Sequence, residues 1–350
     1  MLAYVGSFTT SQRKARGHGI TVYRGEPGGN WTLLQAVIDA VNPTFLAMST
    51  DRQFLYAVHI DADCVTAYAV QPDGTLARLN QERIGGDVLV AEAIDTVNRN
   101  LIVANYAHGG VAVLPIGSEG RLGPRRQLLT FAGSPGPHRI QQIGSHPHDI
   151  CIAPDGRFVL VPDKGLDRLF VLRIASGGEL APVDAGGTVC RSGAGPRQLA
   201  FHPVLPICYL VNELDSTVTT YAWSPDSGAI WPIQVLPTLP SNYTAQNTAS
   251  GIAAAATGRF VYVSNRGHDA VCIFAVDQDQ GTLQFIGGQS TNGRRPRFIT
   301  FDPSGQFLFA TNEGSDTVVS LLCDAWTGML GSAQTCITTG SPACIIFTAP

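Results

Sequence analysis

Apolar residues in this chain come in short, nearly unbroken blocks, such as FLYAV at 54–58 and FVLV at 158–161, instead of alternating with polar ones. A strand covered on both faces reads this way, whereas a transmembrane barrel strand would alternate. The blocks belong to a repeating unit, clearest at 195–218, GPRQLAFHPVLPICYLVNELDSTV. A Gly-Pro-Arg opener leads into one apolar strand, a Pro-marked turn follows, a second apolar strand ends at Asn212-Glu213, and a turn enters a third. Variants begin at NPTFLAM (42–48), HPHDICI (146–152), SGIAAAA (250–256) and RPRFITF (295–301), and a degenerate copy ends in NLIVAN (100–105). From the residue after the opening Pro to the end of the second strand the offset is constant, since 59−44, 163−148, 212−197 and 312−297 all give 15. No helical periodicity persists between the strands, which excludes a parallel α/β fold.

The first stretch, LAYVGSF, a polar excursion at 9–19, ITVYR and WTLLQAV, is a repeat lacking its opener, and SPACIIF at 341–347 supplies that opener from the far end. Six internal copies and one split copy predict an all-β, seven-bladed β-propeller of four-stranded antiparallel blades. Pairing of the N- and C-terminal segments in one blade closes the ring and removes exposed sheet edges. An end-to-end repeat makes residues 1–350 a single domain. A 44% apolar and 14% charged composition, with 38 Gly and 22 Pro, suits many buried strands joined by turns. The net charge of −4 gives no general attraction for nucleic acid. Eight cysteines without a C-x-x-C pair read as reduced packing residues, so neither disulfides nor a zinc site is expected. The opening MLAYVGSFTT has no basic leader before an apolar run, and no apolar stretch approaches the roughly 18 residues that cross a bilayer. A cytoplasmic protein without membrane contact is expected; nothing in the chain decides between monomer and homo-oligomer.

Within an antiparallel blade the start of the innermost strand and the end of the second lie at the same end of the sheet. One mouth of the central channel should therefore gather Thr44, Val90, His148, Arg197, Ser250 and Arg297 from the first place. The second place contributes His59-Ile60, Asn105-Tyr106, Asp163-Lys164, Asn212-Glu213, Asn265-Arg266 and Asn312-Glu313. Packing alone would not ask for His, Arg, Asp and Glu there. The Asn and Asp that end second strands have a ready role as turn formers, as do Asp63, Asp167, Asp269 and Asp316 four residues later. His146 and His148 form an H-x-H pair that faces one side of an extended segment. Candidate catalytic residues are His148, Glu213, Arg197 and Arg266. Candidate substrate contacts are His146, Arg297, Asp163, His59, Asn212, Asn265 and Glu313. Several guanidiniums would repel a divalent cation, so no metal is expected, and neither a phosphate-cradling Gly loop nor a G-x-S-x-G elbow is present.

YVGSFT (4–9), the H-x-H segment, VPDKGLDR (161–168), GPRQLAFHP (195–203), NELDSTVTTY (212–221), SNRGHDAV (264–271) and RPRFITFDPSG (295–305) together resemble the seven-bladed propeller lactonase family. Its members include propeller-type 6-phosphogluconolactonase and carboxy-cis,cis-muconate cyclase. The resemblance spans nearly the whole chain and implies a site made of a His from H-x-H, the Arg of G-P-R, the Glu of N-E-L and the Arg of N-R-G-H-D, here His148, Arg197, Glu213 and Arg266. Three positions depart from the family pattern: Gln198 where His often follows G-P-R, Gly251 where an acidic residue is common, and Lys164, which turns D-L-G into D-K-G. The expected partner is a small anionic lactone or carboxylate, with no cofactor. The leading expectation is hydrolysis of an anionic sugar lactone, foremost 6-phosphogluconolactone. His148 would be the base, Glu213 would orient it or shuttle the leaving proton, and Arg197 and Arg266 would bind the anion and the oxyanion. A muconate cyclase would use the same groups to hold carboxylates and protonate carbon. A non-catalytic binding propeller is the third reading, although exposed aromatics would suit it better than paired Arg and His.

Overall fold

The computed structural model describes residues 1–348 apart from positions 87, 98, 184 and 185. These residues form seven antiparallel sheets arranged as a ring, and the expected fold is borne out. Blade 1 pairs Pro342–Thr348 with Leu2–Ser7, then Ile20–Gly25 and Trp31–Val37, so the two ends of the chain close the ring. The innermost strands of blades 2 to 7 are Pro43–Met48, Leu89–Asp95, Cys151–Ile152, Pro196–Phe201, Thr248–Ala254 and Pro296–Phe301. Second strands run Phe54–His59, Asn100–Asn105, Phe158–Asp163, Ile207–Asn212, Phe260–Arg266 and Phe307–Asn312. Innermost strands of neighbouring blades touch one another around the axis. Second strands are buried along nearly their whole length because neighbouring blades cover both of their faces, which explains their unbroken apolar sequence. The apolar clusters accordingly lie between blades, as where Tyr209 and Val211 of blade 5 pack with Val261 and Val263 of blade 6.

Beyond apolar packing, four blades are latched to the next by the same bond. The third residue of the second strand is a tyrosine whose hydroxyl donates to a glycine carbonyl in the outer hairpin of the following blade. The pairs are Tyr4 to Gly74 (2.9 Å), Tyr56 to Gly120 (3.0 Å), Tyr209 to Gly281 (3.0 Å) and Tyr262 to Gly328 (2.9 Å). Each of these glycines has a positive φ, between 69° and 89°, which the tight hairpin requires and a side chain would strain. In blades 3, 4 and 7 the same position holds Ile102, Leu160 and Phe309 and the latch is missing. The bond sits where water cannot replace it, so Tyr209→Phe should lower stability by about 1–2 kcal/mol, the cost of an orphaned buried carbonyl. Urea unfolding of the two proteins checks this; equal midpoints would count against the latch.

Candidate active site

Two backbone devices aim side chains at one mouth of the channel. The first is a bulge at the start of the innermost strand. Pairing slips between Pro43 and Phe45, Leu89 and Ala91, Pro196 and Gln198, Ala249 and Ile252, and Pro296 and Phe298. In blade 4 the four steps from Pro147 to Cys151 oppose three steps from Asp163 to Leu160. The extra residues are Thr44, Val90, His148, Arg197, Ser250-Gly251 and Arg297, the positions expected from the repeat to ring the opening. A bulged residue leaves the ladder and turns its side chain off the sheet. The second device is the residue one step past the polar end of the second strand: Ile60, Tyr106, Lys164, Glu213, Arg266 and Glu313 occupy it.

An aspartate in left-handed conformation ties these devices together. Asp269 (φ 55°) accepts the Arg295 N–H at 2.8 Å and Asp316 (φ 61°) accepts that of Ser341 at 2.7 Å. Asp167 (φ 49°) likewise takes Gly195 N–H at 2.8 Å. Each therefore fixes the opener of the next blade two residues ahead of the bulge, which sets where Arg197 and Arg297 emerge.

The two sets converge on a cavity of about 280 Å³ lined by Val90, His148 and Arg297 from the bulges, and by Ile60, Tyr106, Lys164, Glu213 and Arg266 from the strand ends, with Val88 and Arg13. Glu213 is its electrostatic centre. Its carboxylate lies 2.8 Å from Lys164 Nζ, 3.1 Å from Arg197 Nε and 3.2 Å from Arg266 Nη2, and all four side chains are less than a tenth exposed. Burial alone would raise the Glu213 pKa, but Arg266, Lys164 and Arg197 outweigh it and hold the group well below the usual carboxylate range. Arg197 is brought down to about 9 by burial and by Arg266. It donates through Nη1 to Ser250 O at 2.7 Å and does not line the cavity, standing behind Glu213. Arg297 lies 3.6 Å from Glu313 and rests over the Phe8 ring, 5.0 Å from its centroid, with Arg13 against the same ring at 5.1 Å.

His148 is buried with Nε2 3.9 Å from Glu213 Oε2, its backbone fixed by Pro162 O and its ring meeting Tyr106 edge-on at 5.8 Å. Its Nδ1 has no hydrogen-bond partner among the described residues. Desolvation, reinforced by Arg197, holds the imidazole well below its ordinary pKa and thus neutral near pH 7. His146 stacks on Tyr106 at 4.3 Å and bonds its carbonyl through Nδ1, so it backs the site without lining it.

Residue 2–347 of the chain matches the family model described as lactonase, 7-bladed beta-propeller. The chain belongs to this family. It is 33% identical over 310 residues to the 6-phosphogluconolactonase of Bacillus subtilis (strain 168), covering 87% of each chain. Its identity to the 6-phosphogluconolactonase of Serratia proteamaculans (strain 568) is 31% over 313 residues, covering 89% and 90%. The solved structure of the Pseudomonas aeruginosa periplasmic gluconolactonase PpgL superposes with a TM-score of 0.91 at 29% identity, covering 100% of this chain and 99% of that one.

Family members thus share this scaffold, and four sequence candidates occupy a different place in it. His59 bonds Val41 O (2.7 Å) and Thr66 Oγ1 (2.8 Å), and Asp163 accepts the N–H groups of His146, Gly165 and Leu166. Asn212 donates to Thr217 and Thr219, and Asn265 is engaged by Thr238 and Asn247. None of the four lines the cavity. They are the turn-forming strand ends, each one residue short of the side chain that enters it. The repeat places Ile60, Tyr106 and Lys164 at the mouth without marking them as substrate contacts, and nothing in it points to Arg13. For Lys164 the signal existed: it has the repeat position of Glu213 and Arg266. Gln198 lines a separate cavity further along the channel, and Gly251 lies in the blade 6 bulge.

The depressed His148 pKa has a measurable consequence. Below about pH 6.5 an unfolded chain protonates this imidazole while the folded one refuses the proton, so stability falls as pH drops. The stability advantage of wild type over His148→Gln should therefore shrink between pH 7.5 and 5.5 in urea unfolding. A difference that stays constant across that window would mean the folded imidazole titrates normally.

Proposed function

We propose that this protein hydrolyses an anionic sugar lactone, 6-phosphogluconolactone foremost. The observation that carries this reading is a neutral buried imidazole at the wall of a cavity whose other polar walls are mainly cationic, in a chain that belongs to the propeller lactonase family. The names of its relatives, 6-phosphogluconolactonase and gluconolactonase, point the same way.

His148 takes a proton from a water molecule, and the resulting hydroxide adds to the ester carbonyl. The negative charge that develops on the carbonyl oxygen is met by fixed donors, with Arg266 and Arg297 at the cavity wall. When the ring C–O bond breaks, the imidazolium returns its proton to the departing oxygen, and an aldonate with a free hydroxyl leaves. Glu213, held as a carboxylate by three cations, is a poor proton carrier; it supports the imidazolium and fixes the guanidiniums. Arg197 reaches the cavity through Glu213 and is a positioning residue. Eight unpaired thiols favour action in a reducing compartment such as the cytoplasm.

Acid release from 6-phosphogluconolactone, followed by pH-stat against the spontaneous background, tests the reading, with muconates in the same panel. His148→Ala should lower kcat about 10²–10⁴-fold, and Arg266→Ala about 10²–10³-fold. A wild-type rate no faster than background, or variants as fast as wild type, would overturn it; cyclisation of a muconate without lactone hydrolysis would replace it.

A further inference from the structure

Lys164 is the cavity residue whose surroundings the reaction just described does not explain. Its backbone is fixed on both sides: its N–H donates to His146 O at 2.9 Å, and its carbonyl accepts from Gln142 Nε2 at 2.9 Å. The side chain is 5% exposed and passes the Tyr106 ring, with Nζ 6.0 Å from the centroid. Nζ donates to Glu213 Oε1 at 2.8 Å and to Gln141 Oε1 at 2.9 Å. An ammonium has three N–H bonds. Among the described residues the third has no partner, and Lys164 lines the 280 Å³ cavity, so that bond is left for whatever the cavity holds.

Gln141 comes from the segment between Gln127–Thr130 of blade 3 and the inner strand of blade 4. The segment is pinned by its neighbour: buried Gln142 donates to Asp167 Oδ1 at 2.7 Å and accepts the His138 N–H at 3.0 Å. Gln141 is thereby held with its carbonyl on the ammonium, and it orients the charge without neutralising it.

The charges around the cavity then do not cancel. Lys164, Arg197, Arg266 and Arg297 face Glu213, Glu313 and, behind Arg197, the buried Asp149, while Arg13 is paired with Asp61, so four cations meet three carboxylates. His148, its Coulombic neighbour, is neutral. Burying an uncompensated positive charge is unfavourable, and a negatively charged ligand offsets it. Without Lys164 no surplus would remain.

We propose that Lys164, oriented by Gln141, is a specificity-determining residue that reads substrate charge, so that the pocket selects a lactone carrying an anionic group over an uncharged one. This rests on the lactone-hydrolase reading. The measurement is the ratio of kcat/KM for 6-phosphogluconolactone to that for glucono-1,5-lactone, with Lys164→Met retaining the stem beside Tyr106 and removing the charge. The ratio should favour the phosphorylated lactone in wild type and fall about tenfold or more in the variant, through KM; Gln141→Leu should move it the same way by less. A purely structural role would slow the two lactones equally and leave the ratio unchanged, which would overturn the proposal, as would a wild-type ratio near one. Calorimetric binding of 6-phosphogluconate and gluconate separates the two layers. If neither lactone is turned over, the hydrolase reading fails, but a tenfold loss of 6-phosphogluconate affinity in Lys164→Met still supports the charge reader. Equal affinities in wild type and variant would sink it.

Discussion

One carboxylate, buried among three cations, is the interaction on which the rest of the site depends. Glu213 touches Lys164, Arg197 and Arg266 within 3.2 Å, and each of those charges would be costly to bury without it. The arrangement fixes donor positions before any substrate arrives, which is the condition under which electrostatic stabilisation of a transition state needs no further reorganisation. It also sets the proton inventory. The cations keep Glu213 ionised, while burial and Arg197 keep His148 unprotonated, so neighbouring groups in one cavity end with a fixed carboxylate and an available base.

The propeller supplies the means of bringing these groups together. His148, Arg197, Glu213 and Arg266 come from blades 4, 5 and 6, and Arg297 from blade 7. The ring points the same end of every blade at the axis, and the bulge repeated in the innermost strands releases one side chain per blade from the ladder. Because the device is common to the blades, chemistry can be written into it one position at a time: Thr44, Val90 and Ser250 occupy in their blades the place that His148, Arg197 and Arg297 hold in theirs. The left-handed aspartates and the tyrosine latches keep neighbouring blades in register, so the relative placement of groups on different sheets is a property of the whole ring.

Much of this was legible in the chain. The constant offset between openers and strand ends fixed the blade count and the closing segment, because strand length and turn geometry tie sequence spacing directly to position in a blade. His148, Arg197, Glu213 and Arg266 stood out because they break the repeat at positions where packing does not want charge. His59, Asp163, Asn212 and Asn265 were placed one residue too early: side chains in a strand alternate in direction, so a single step separates a turn-forming group beneath the floor from one that enters the cavity. Arg197 shows a different limit. Its bulge position was correct, but whether a long side chain faces the ligand or another side chain depends on neighbours three blades wide. Gln141 and Arg13 arrive from irregular segments outside the repeat, where no period exists to place them.

Urea unfolding of Glu213→Gln in a buffer free of multivalent anions addresses the central claim most directly. The substitution keeps the shape and one acceptor oxygen but removes the charge, leaving three cations unpaired. The account predicts a loss of about 3–5 kcal/mol, the scale for breaking a buried ion pair by removing one partner. A variant within about 1 kcal/mol of wild type, the range of an exposed pair, would show that the carboxylate is not what holds the site together.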